Sequence, residues 1–277
     1  MARRSRKKRR SSRGQSALGI YLFSGFLFAL VIFAVAAALY FRPEAIEIDA
    51  ETLCPKAGPT AITAIVIDRT DSFGVVTKAD IETQIGNLFS TLRTGEEISL
   101  FTVDETETAV LSPIARICSP QDPDEINPLT GSKPIAERRW IERFIKPLKR
   151  VLSEILTERE AKHSPILESL QSISVTHFAS NERAGIPRRL ILISDLLQNS
   201  NAESFYRGEP NFSRFLNSGG ARSLNADFRN VDVQIWLVQR SHNAQNTGAE
   251  VLEFFGAWFE QNGGSVSRLL RLTGMND

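Results

Sequence analysis

A long uncharged apolar run near the N-terminus constrains this chain more than any other feature. Residues Ala17 to Phe41 read ALGIYLFSGFLFALVIFAVAAALYF, which is 25 residues without a charge. A helix of that length, rising about 1.5 Å per residue, covers the roughly 30 Å hydrocarbon core of a bilayer. Tyr21 and Tyr40 lie near its two ends, where aromatic side chains favour the membrane interface. The run therefore predicts one transmembrane helix at residues 17–41.

The charges before this run predict its orientation. Eight of the 33 Lys and Arg residues lie at or before Arg13. Because basic flanks stay in the cytoplasm, residues 1–16 are expected to be a cytoplasmic tail and the rest of the chain extracytoplasmic. The alternative is a cleaved signal peptide, with Ala36, Ala37 and Ala38 as the small residues for cleavage. Against it, the run is longer than the 7–15 residues of a typical signal-peptide core.

The basic charge is confined to the tail. After Arg13 the chain carries 25 basic and 32 acidic residues, a net charge of −7. A nucleic-acid-binding domain carries its positive charge on a folded face, so we expect no nucleic-acid partner. The tail could still bind nucleic acid or anionic lipid, but a role in setting topology accounts for it more simply.

Cys54 and Cys118 are the two cysteines of the chain. In an oxidising extracytoplasmic compartment such a pair is a candidate disulfide, which would join the segment after the membrane to a loop of the domain. Two separate buried thiols are the alternative.

Buried strands alternate with helices from residue 60 onward. Short β-branched apolar runs indicate strands, and apolar residues at helical spacing indicate the helices between them. This alternation predicts a doubly wound α/β domain at residues 60–277, with a mostly parallel sheet covered by helices on both faces. Residues 42–59 are expected to be a linker. The predicted strands are Ala61–Ile67, Glu97–Val103, Arg189–Ser194 and Val231–Val238, with an edge strand in Ala109–Cys118 and an undecided Ser265–Leu272.

Polar residues follow two of the predicted strands. Asp68 follows the first strand in IVIDRTDSF, and Asp195 follows a later one in LILISDLLQ. The carboxyl ends of parallel strands meet at one edge of a sheet, so these carboxylates should be neighbours. Thr70 and Ser72 add hydroxyl groups at alternate positions after Asp68. Oxygen ligands without His or Cys predict a site for Mg²⁺ or Mn²⁺.

The segment IVIDRTDSF resembles the first motif of a von Willebrand factor type A (VWA) domain, whose metal-ion-dependent adhesion site (MIDAS) reads Asp-x-Ser-x-Ser. The resemblance runs from about Ala61 to Gln261. It implies that Asp68, Thr70 and Ser72 form the first metal loop, that Ser164 in HSPILESLQ supplies the hydroxyl of the second, and that Asp195 supplies the third. The apolar run together with TLCP, IDRTDS and ICSP also resembles a group of bacterial membrane-anchored proteins that carry this domain.

Four positions depart from the family pattern. Thr70 replaces the usual Ser and Ser164 the usual Thr, and both keep a hydroxyl group. His163 replaces a common Gly. Asp71 is an additional carboxylate, interpreted either as a solvent-facing turn residue or as a further attraction for a cation.

The resemblance implies a non-enzymatic module that binds a protein partner of the cell envelope, on the periplasmic side of a bacterial inner membrane. An acidic side chain of the partner would complete the coordination of the metal. One alternative is a metal-dependent hydrolase that uses Asp68 and Asp195. A phosphatase of that kind usually has a second Asp where Thr70 stands, which counts against it. The other alternative is a structural envelope protein that binds no metal.

Overall fold

The computed structural model describes residues 13–40, 47–105, 110–127, 131–157, 161–179, 185–239 and 248–272. The chain divides into two compact units, residues 1–46 and residues 47–277.

The first unit contains one long helix, α1, from Arg13 to Tyr40. Its side chains are described at residues 21–37 and at Tyr40, and Phe23 and Phe33 among them are more than two-thirds exposed. Among the residues that the structure describes, we find no helix that combines the length and apolar character needed for a membrane crossing. Residues 1–12 of the predicted tail, and Phe41 at the end of the predicted span, lie outside the described residues.

The second unit is built on a six-stranded sheet in the order β3-β2-β1-β4-β5-β6. Neighbouring strands are parallel except for β3, which pairs antiparallel with β2. The predicted mostly parallel sheet is thus confirmed, and the undecided segment near the C-terminus forms its last strand. The strands are β1 Ala61–Asp68, β2 Glu96–Val103, β3 Ala115–Cys118, β4 Arg188–Ser194, β5 Val231–Val238 and β6 Ser265–Leu272.

The central strands are apolar on both faces because both faces are covered. In β1, Ala64 and Val66 belong to one hydrophobic core, whereas Ile65 and Ile67 belong to a second core on the opposite face. All four residues are fully buried. Burial of the Val and Ile side chains contributes about 1.5–3 kcal/mol each, so both faces of the sheet are stabilised.

Helices cover both faces, as the sequence predicts. Helices α5 and α8 contribute to the first core, and α2 and α4 contribute to the second. A π-helical segment, Trp140–Ile145, connects α3 to α4, and another, Ser174–Phe178, follows α5. The helices are α2 Val75–Phe89, α3 Lys133–Arg139, α4 Lys146–Ile155, α5 Ile166–Ile173, α6 Phe212–Asn217, α7 Gly220–Ser223 and α8 Ala249–Gln261.

The segment 47–59 before β1 has no helix or regular strand, yet it packs into the domain. Leu53 is only 3% exposed and lies in the second core. A disulfide joins Cys54 to Cys118 at the end of β3, and the Cys118 amide donates a hydrogen bond of 2.7 Å to the Thr52 carbonyl. The predicted disulfide is confirmed, and the alternative of two separate thiols is excluded. These contacts make the segment part of the folded domain.

Candidate metal site

The register of the sheet places the ends of β1 and β4 side by side. The two strands are parallel neighbours, and Ile67 pairs with Ile193. Asp68 and Ser194 are the next residues along each strand, so both arrive at the carboxyl edge of the sheet at the same level. This pairing brings the polar residues that follow the two strands to one edge of the sheet, as the sequence predicts.

Asp68 is fully buried and accepts hydrogen bonds from two loops and from the end of β4. Its Oδ1 accepts from the Thr70 amide at 3.1 Å and from the Thr70 hydroxyl at 2.7 Å. Its Oδ2 accepts from the Ser194 hydroxyl at 2.7 Å and from the Ser164 hydroxyl at 3.3 Å. Donors from residues that lie far apart in the sequence therefore converge on one carboxylate.

Residues 69–74, between β1 and α2, form what we call the first loop. Thr70 is buried within it, Asp71 is half-buried, and Ser72 is exposed. Within the described residues, no hydrogen bond connects the Ser72 hydroxyl to the Asp68 cluster. Arg69 makes a bidentate ion pair with Asp104, just after β2. Its Nε donates to Oδ1 at 3.0 Å and its Nη2 donates to Oδ2 at 2.8 Å. The Arg69 charge is thus matched by a carboxylate other than Asp68.

Residues 161–165, before α5, form the second loop, which is hydrogen-bonded to the first loop and to the loop after β4. The Ala161 amide donates to the Thr70 carbonyl at 2.7 Å. The Ser164 amide donates to the Asn199 carbonyl at 2.8 Å, and the Asn199 amide donates back to the Ser164 carbonyl at 2.9 Å. The buried Ser164 hydroxyl is therefore fixed relative to both neighbouring loops.

Asp195 begins the third loop, residues 195–206 after β4, and is 2% exposed. Its Oδ1 accepts a hydrogen bond of 3.0 Å from the Leu197 amide. Burial, followed by the negative charge of Asp68, raises the pKa of Asp195 to about 7. Two carboxylates this deeply buried repel each other when both are ionised, and a cation between them would relieve that repulsion.

The third loop turns sharply at Leu196. This residue has a φ of 65°, in the left-handed region that residues other than glycine rarely adopt. Leu196 is also fully buried, and its amide donates to the Ser194 hydroxyl at 2.8 Å. The core contact of the side chain and this hydrogen bond hold a backbone conformation that costs roughly 1–2 kcal/mol.

A depression of about 350 Å³ opens beside these loops. Thr70, Asp71, Ser164 and Asn199 line it, together with Lys162, His163 and Tyr206. The Tyr206 side chain is 57% exposed at its rim. Partial burial, then the charges of Asp195 and Asp68, raise the pKa of Tyr206, so its hydroxyl keeps its proton at neutral pH.

The donor set fits a hard divalent cation. The cluster offers the carboxylates of Asp68 and Asp195 and the hydroxyls of Thr70 and Ser164, with the exposed Ser72 on the same loop. Oxygen ligands of this kind suit Mg²⁺ or Mn²⁺. The raised pKa of Asp195 is consistent with this donor set, because burial and then the nearby charge of Asp68 make its ionised form costly, and a bound cation would offset that cost.

A second cluster does not fit a metal. Among the described residues, Cys54, Glu97 and Cys118 bring a carboxylate oxygen and two sulfur atoms within 4.8 Å of one another. The two cysteines form the disulfide, so they are not the thiolates that a metal requires. Glu97 instead accepts hydrogen bonds from Arg116 Nε at 2.8 Å and from the Ser99 hydroxyl at 3.0 Å.

Three residues of the site, Ser194, Asn199 and Tyr206, were not predicted from the sequence. The Ser194 hydroxyl could have been recognised by its position at the end of a buried strand, directly before Asp195. Asn199 hydrogen-bonds to the second loop through its backbone and its side chain, and Tyr206 lies eleven residues after Asp195 along an irregular loop. No periodic pattern in the sequence signals either of these two.

No protein-family model matches the chain. A search of curated proteins also finds no match. Among solved structures, a conserved hypothetical protein BatB from Bacteroides thetaiotaomicron is similar over 79% of this chain and 92% of its own, with 11% identity and a TM-score of 0.39. An aerotolerance-related membrane protein from Bacteroides fragilis is similar over 78% and 92%, with 9% identity and a TM-score of 0.38. The ArnB paralog VWA2 from Sulfolobus acidocaldarius is similar over 79% of this chain and 42% of its own, with 12% identity and a TM-score of 0.40.

Proposed function

We propose that this chain is a membrane-anchored protein-binding module of the VWA type, which uses a divalent cation to engage a partner in the bacterial envelope. The observation that carries the proposal is the Asp68 cluster. One buried carboxylate accepts hydrogen bonds from three hydroxyl groups, two on separate loops and one at the end of β4, next to a second buried carboxylate, Asp195.

Five residues would hold the cation: Asp68, Thr70, Ser72, Ser164 and Asp195. When bound, the cation supplies a positive charge at the surface that attracts an acidic side chain. The two carboxylates would provide the charge that holds the cation; the hydroxyls of Thr70, Ser164 and Ser194 orient Asp68, and the Leu197 amide orients Asp195. Affinity for the partner would then depend on the divalent cation.

The depression beside the cluster gives the partner a place to dock. Its volume of about 350 Å³ is at the lower end of the usual range for a ligand pocket and suits a single side chain. Tyr206 stands at its rim, more than half exposed. Tyr is one of the residue types enriched among those that contribute most of the binding energy at protein interfaces. We expect Tyr206 to contact the partner beside the metal.

We propose binding rather than catalysis because of the surroundings of Asp68. A carboxylate that attacks a substrate needs an accessible oxygen atom. Both oxygens of Asp68 already accept hydrogen bonds, and the residue is fully buried. The second Asp of the phosphatase pattern is absent, since Thr70 occupies its position.

We propose that residues 17–41 anchor the module in the inner membrane and that residues 47–277 lie on the periplasmic side. The apolar run, its basic N-terminal flank and the disulfide all support this arrangement. A disulfide is typical of proteins in an oxidising compartment.

Calorimetric titration of Mg²⁺ and Mn²⁺ into the purified full-length chain, kept in detergent, tests the metal site. Saturable binding is expected, and Asp68→Ala should abolish it. Asp124→Ala is the matched control, because Asp124 is exposed and pairs with Lys133 far along the chain from the site. Absence of binding in the well-folded parent chain would refute the proposed mechanism.

Capture of the partner is the second test. The parent chain and Asp68→Ala would be cross-linked in cell envelopes with Mg²⁺ or with a chelator. A partner retained only by the parent chain, and only with Mg²⁺, supports the proposal. A partner retained equally under all conditions would indicate a metal-independent interaction.

A further inference from the structure

Asn199 joins the second loop to the third by three hydrogen bonds. Two run in opposite directions between the backbones of Ser164 and Asn199, at 2.8 and 2.9 Å. The third runs from Asn199 Nδ2 to the Lys162 carbonyl at 2.8 Å. The loop that carries the Ser164 hydroxyl is thereby attached directly to the loop that begins with Asp195.

The other end of Asn199 is also fixed. Its Oδ1 accepts a hydrogen bond of 2.8 Å from the Ser204 hydroxyl. The neighbouring Gln198 is fully buried, and its Oε1 accepts from the Leu167 amide at 2.9 Å, at the start of α5. Gln198 Nε2 in turn donates to the Ser200 hydroxyl at 3.0 Å. The third loop therefore has hydrogen bonds between its own residues as well as hydrogen bonds to the second loop.

We propose that Asn199 is a positioning residue that assembles the site before the cation arrives, and that this makes the site select Mg²⁺ over Ca²⁺. The inference rests on the proposed function, because it concerns the same site. The backbone contacts between the two loops and the hydrogen bond from Asn199 Nδ2 to the Lys162 carbonyl together hold the Ser164 hydroxyl 3.3 Å from Asp68 Oδ2.

The selectivity follows from the size of the two ions. Mg²⁺ requires near-octahedral ligands at about 2.0–2.1 Å, whereas Ca²⁺ accepts six to eight ligands at about 2.3–2.6 Å in flexible arrangements. Loops that are bonded to each other cannot spread easily to admit the larger ion. Loosening the attachment should therefore penalise Mg²⁺ more than Ca²⁺.

An amide side chain suits this position because one end donates and the other accepts. In Asn199→Asp the side chain keeps its size and its acceptor for Ser204. It loses the donor to the Lys162 carbonyl and directs a carboxylate oxygen at that carbonyl instead. Asn199→Ala loses both side-chain contacts. The two variants together separate the bond to the second loop from the bond within the third.

The experiment compares the parent chain, Asn199→Ala and Asn199→Asp at full length in detergent, with Asn217→Ala as control. Asn217 is an exposed amide at the end of α6. Mg²⁺ and Ca²⁺ affinities are measured by calorimetry. Hydrogen exchange of the Ser164 and Asn199 amides is measured on the metal-free proteins, which reports the attachment without any metal.

We expect Mg²⁺ affinity to fall about 10-fold or more in both Asn199 variants, as is usual when a residue that supports metal ligands is lost. Ca²⁺ affinity should fall less, and the two amides should exchange faster. The control should match the parent chain. Unchanged Mg²⁺ to Ca²⁺ ratios in both folded variants would overturn this inference while leaving the metal site intact. A parent chain that binds neither ion would overturn the proposed function itself, and with it the inference.

Discussion

The Ser194 hydroxyl donates a hydrogen bond of 2.7 Å to Asp68 Oδ2, and it also accepts one of 2.8 Å from the Leu196 amide. Ser194 is fully buried at the end of β4. One hydroxyl therefore joins the end of β1 to the left-handed turn of the third loop. This contact crosses 126 positions of sequence, and the parallel pairing of β1 with β4 makes it possible.

Ser194→Ala should weaken both the fold and the site. Removing the hydroxyl leaves the buried Asp68 oxygen and the Leu196 amide short of a partner, which costs about 1–3 kcal/mol. Mg²⁺ affinity should fall as well, because Asp68 loses the hydrogen bond that holds it to the end of β4. Chemical denaturation and calorimetry measure the two effects. Ser213→Ala, at an exposed position of α6, is the control, and an equal result for both variants would contradict the prediction.

The metal-free protein should lose stability as the pH rises from about 4 to about 7. Burial and the charge of Asp68 raise the folded-state pKa of Asp195 from 3.8 to about 7. In this window the folded state keeps a proton that the unfolded state has released, so the free energy of unfolding falls with rising pH. Thermal denaturation with a chelator, from pH 5 to pH 8, measures the slope.

Asp195→Asn should remove this slope, because the neutral amide has no proton to lose. At pH 8 without metal the variant should melt at a higher temperature than the parent chain, each kcal/mol corresponding to roughly 2–4 °C. With excess Mg²⁺ the order should reverse, since only the parent chain gains stability from the cation. Equal slopes for the parent chain and the variant in chelator would show that Asp195 does not titrate in this window.

The turn at Leu196 should reverse the usual ranking of alanine and glycine. Both Leu196→Ala and Leu196→Gly lose a fully buried side chain, a loss of roughly 2–5 kcal/mol. Glycine adopts the φ of 65° without strain, so Leu196→Gly should be about 1 kcal/mol more stable than Leu196→Ala. Chemical denaturation tests this order. Leu156, buried at the end of α4 with an ordinary φ of −79°, serves as the control position, where alanine should be better than glycine.

Replacing both Cys54 and Cys118 by alanine should lower the free energy of unfolding by about 2–4 kcal/mol. The disulfide links residues separated by 64 positions and holds the segment with the buried Leu53 against the sheet. Denaturation with and without a reductant measures the effect. The reductant should destabilise the parent chain and leave the double variant unchanged. A parent chain insensitive to complete reduction would contradict a stabilising role.

Much of the domain could be predicted from the sequence because its central elements carry strong local patterns. The β-branched runs around Ile65 and Ile191 predict strands buried on both faces, and both lie in the middle of the sheet. The sequence of Ser265–Leu272 does not predict its secondary structure, because its short pattern of apolar and polar residues fits both a strand and a helix. Its pairing with β5 decides the matter, and that pairing is a tertiary contact.

The sequence predicts the doubly wound α/β fold from its periodicity and a candidate disulfide from its two cysteines, because periodicity and the cysteine count are local or countable properties. That Cys54 and Cys118 are bonded, and are not two separate thiols, is a tertiary contact. The sequence also predicts that Asp68 and Asp195 lie at one edge of the sheet, since both directly follow buried strands. Three contacts are visible only in the tertiary structure. Ser194 hydrogen-bonds to Asp68, Asn199 hydrogen-bonds to the second loop, and Tyr206 lines the depression. These contacts depend on the register of two strands and on the course of an irregular loop. Both are set by packing between residues that are distant in the sequence, which no local pattern records.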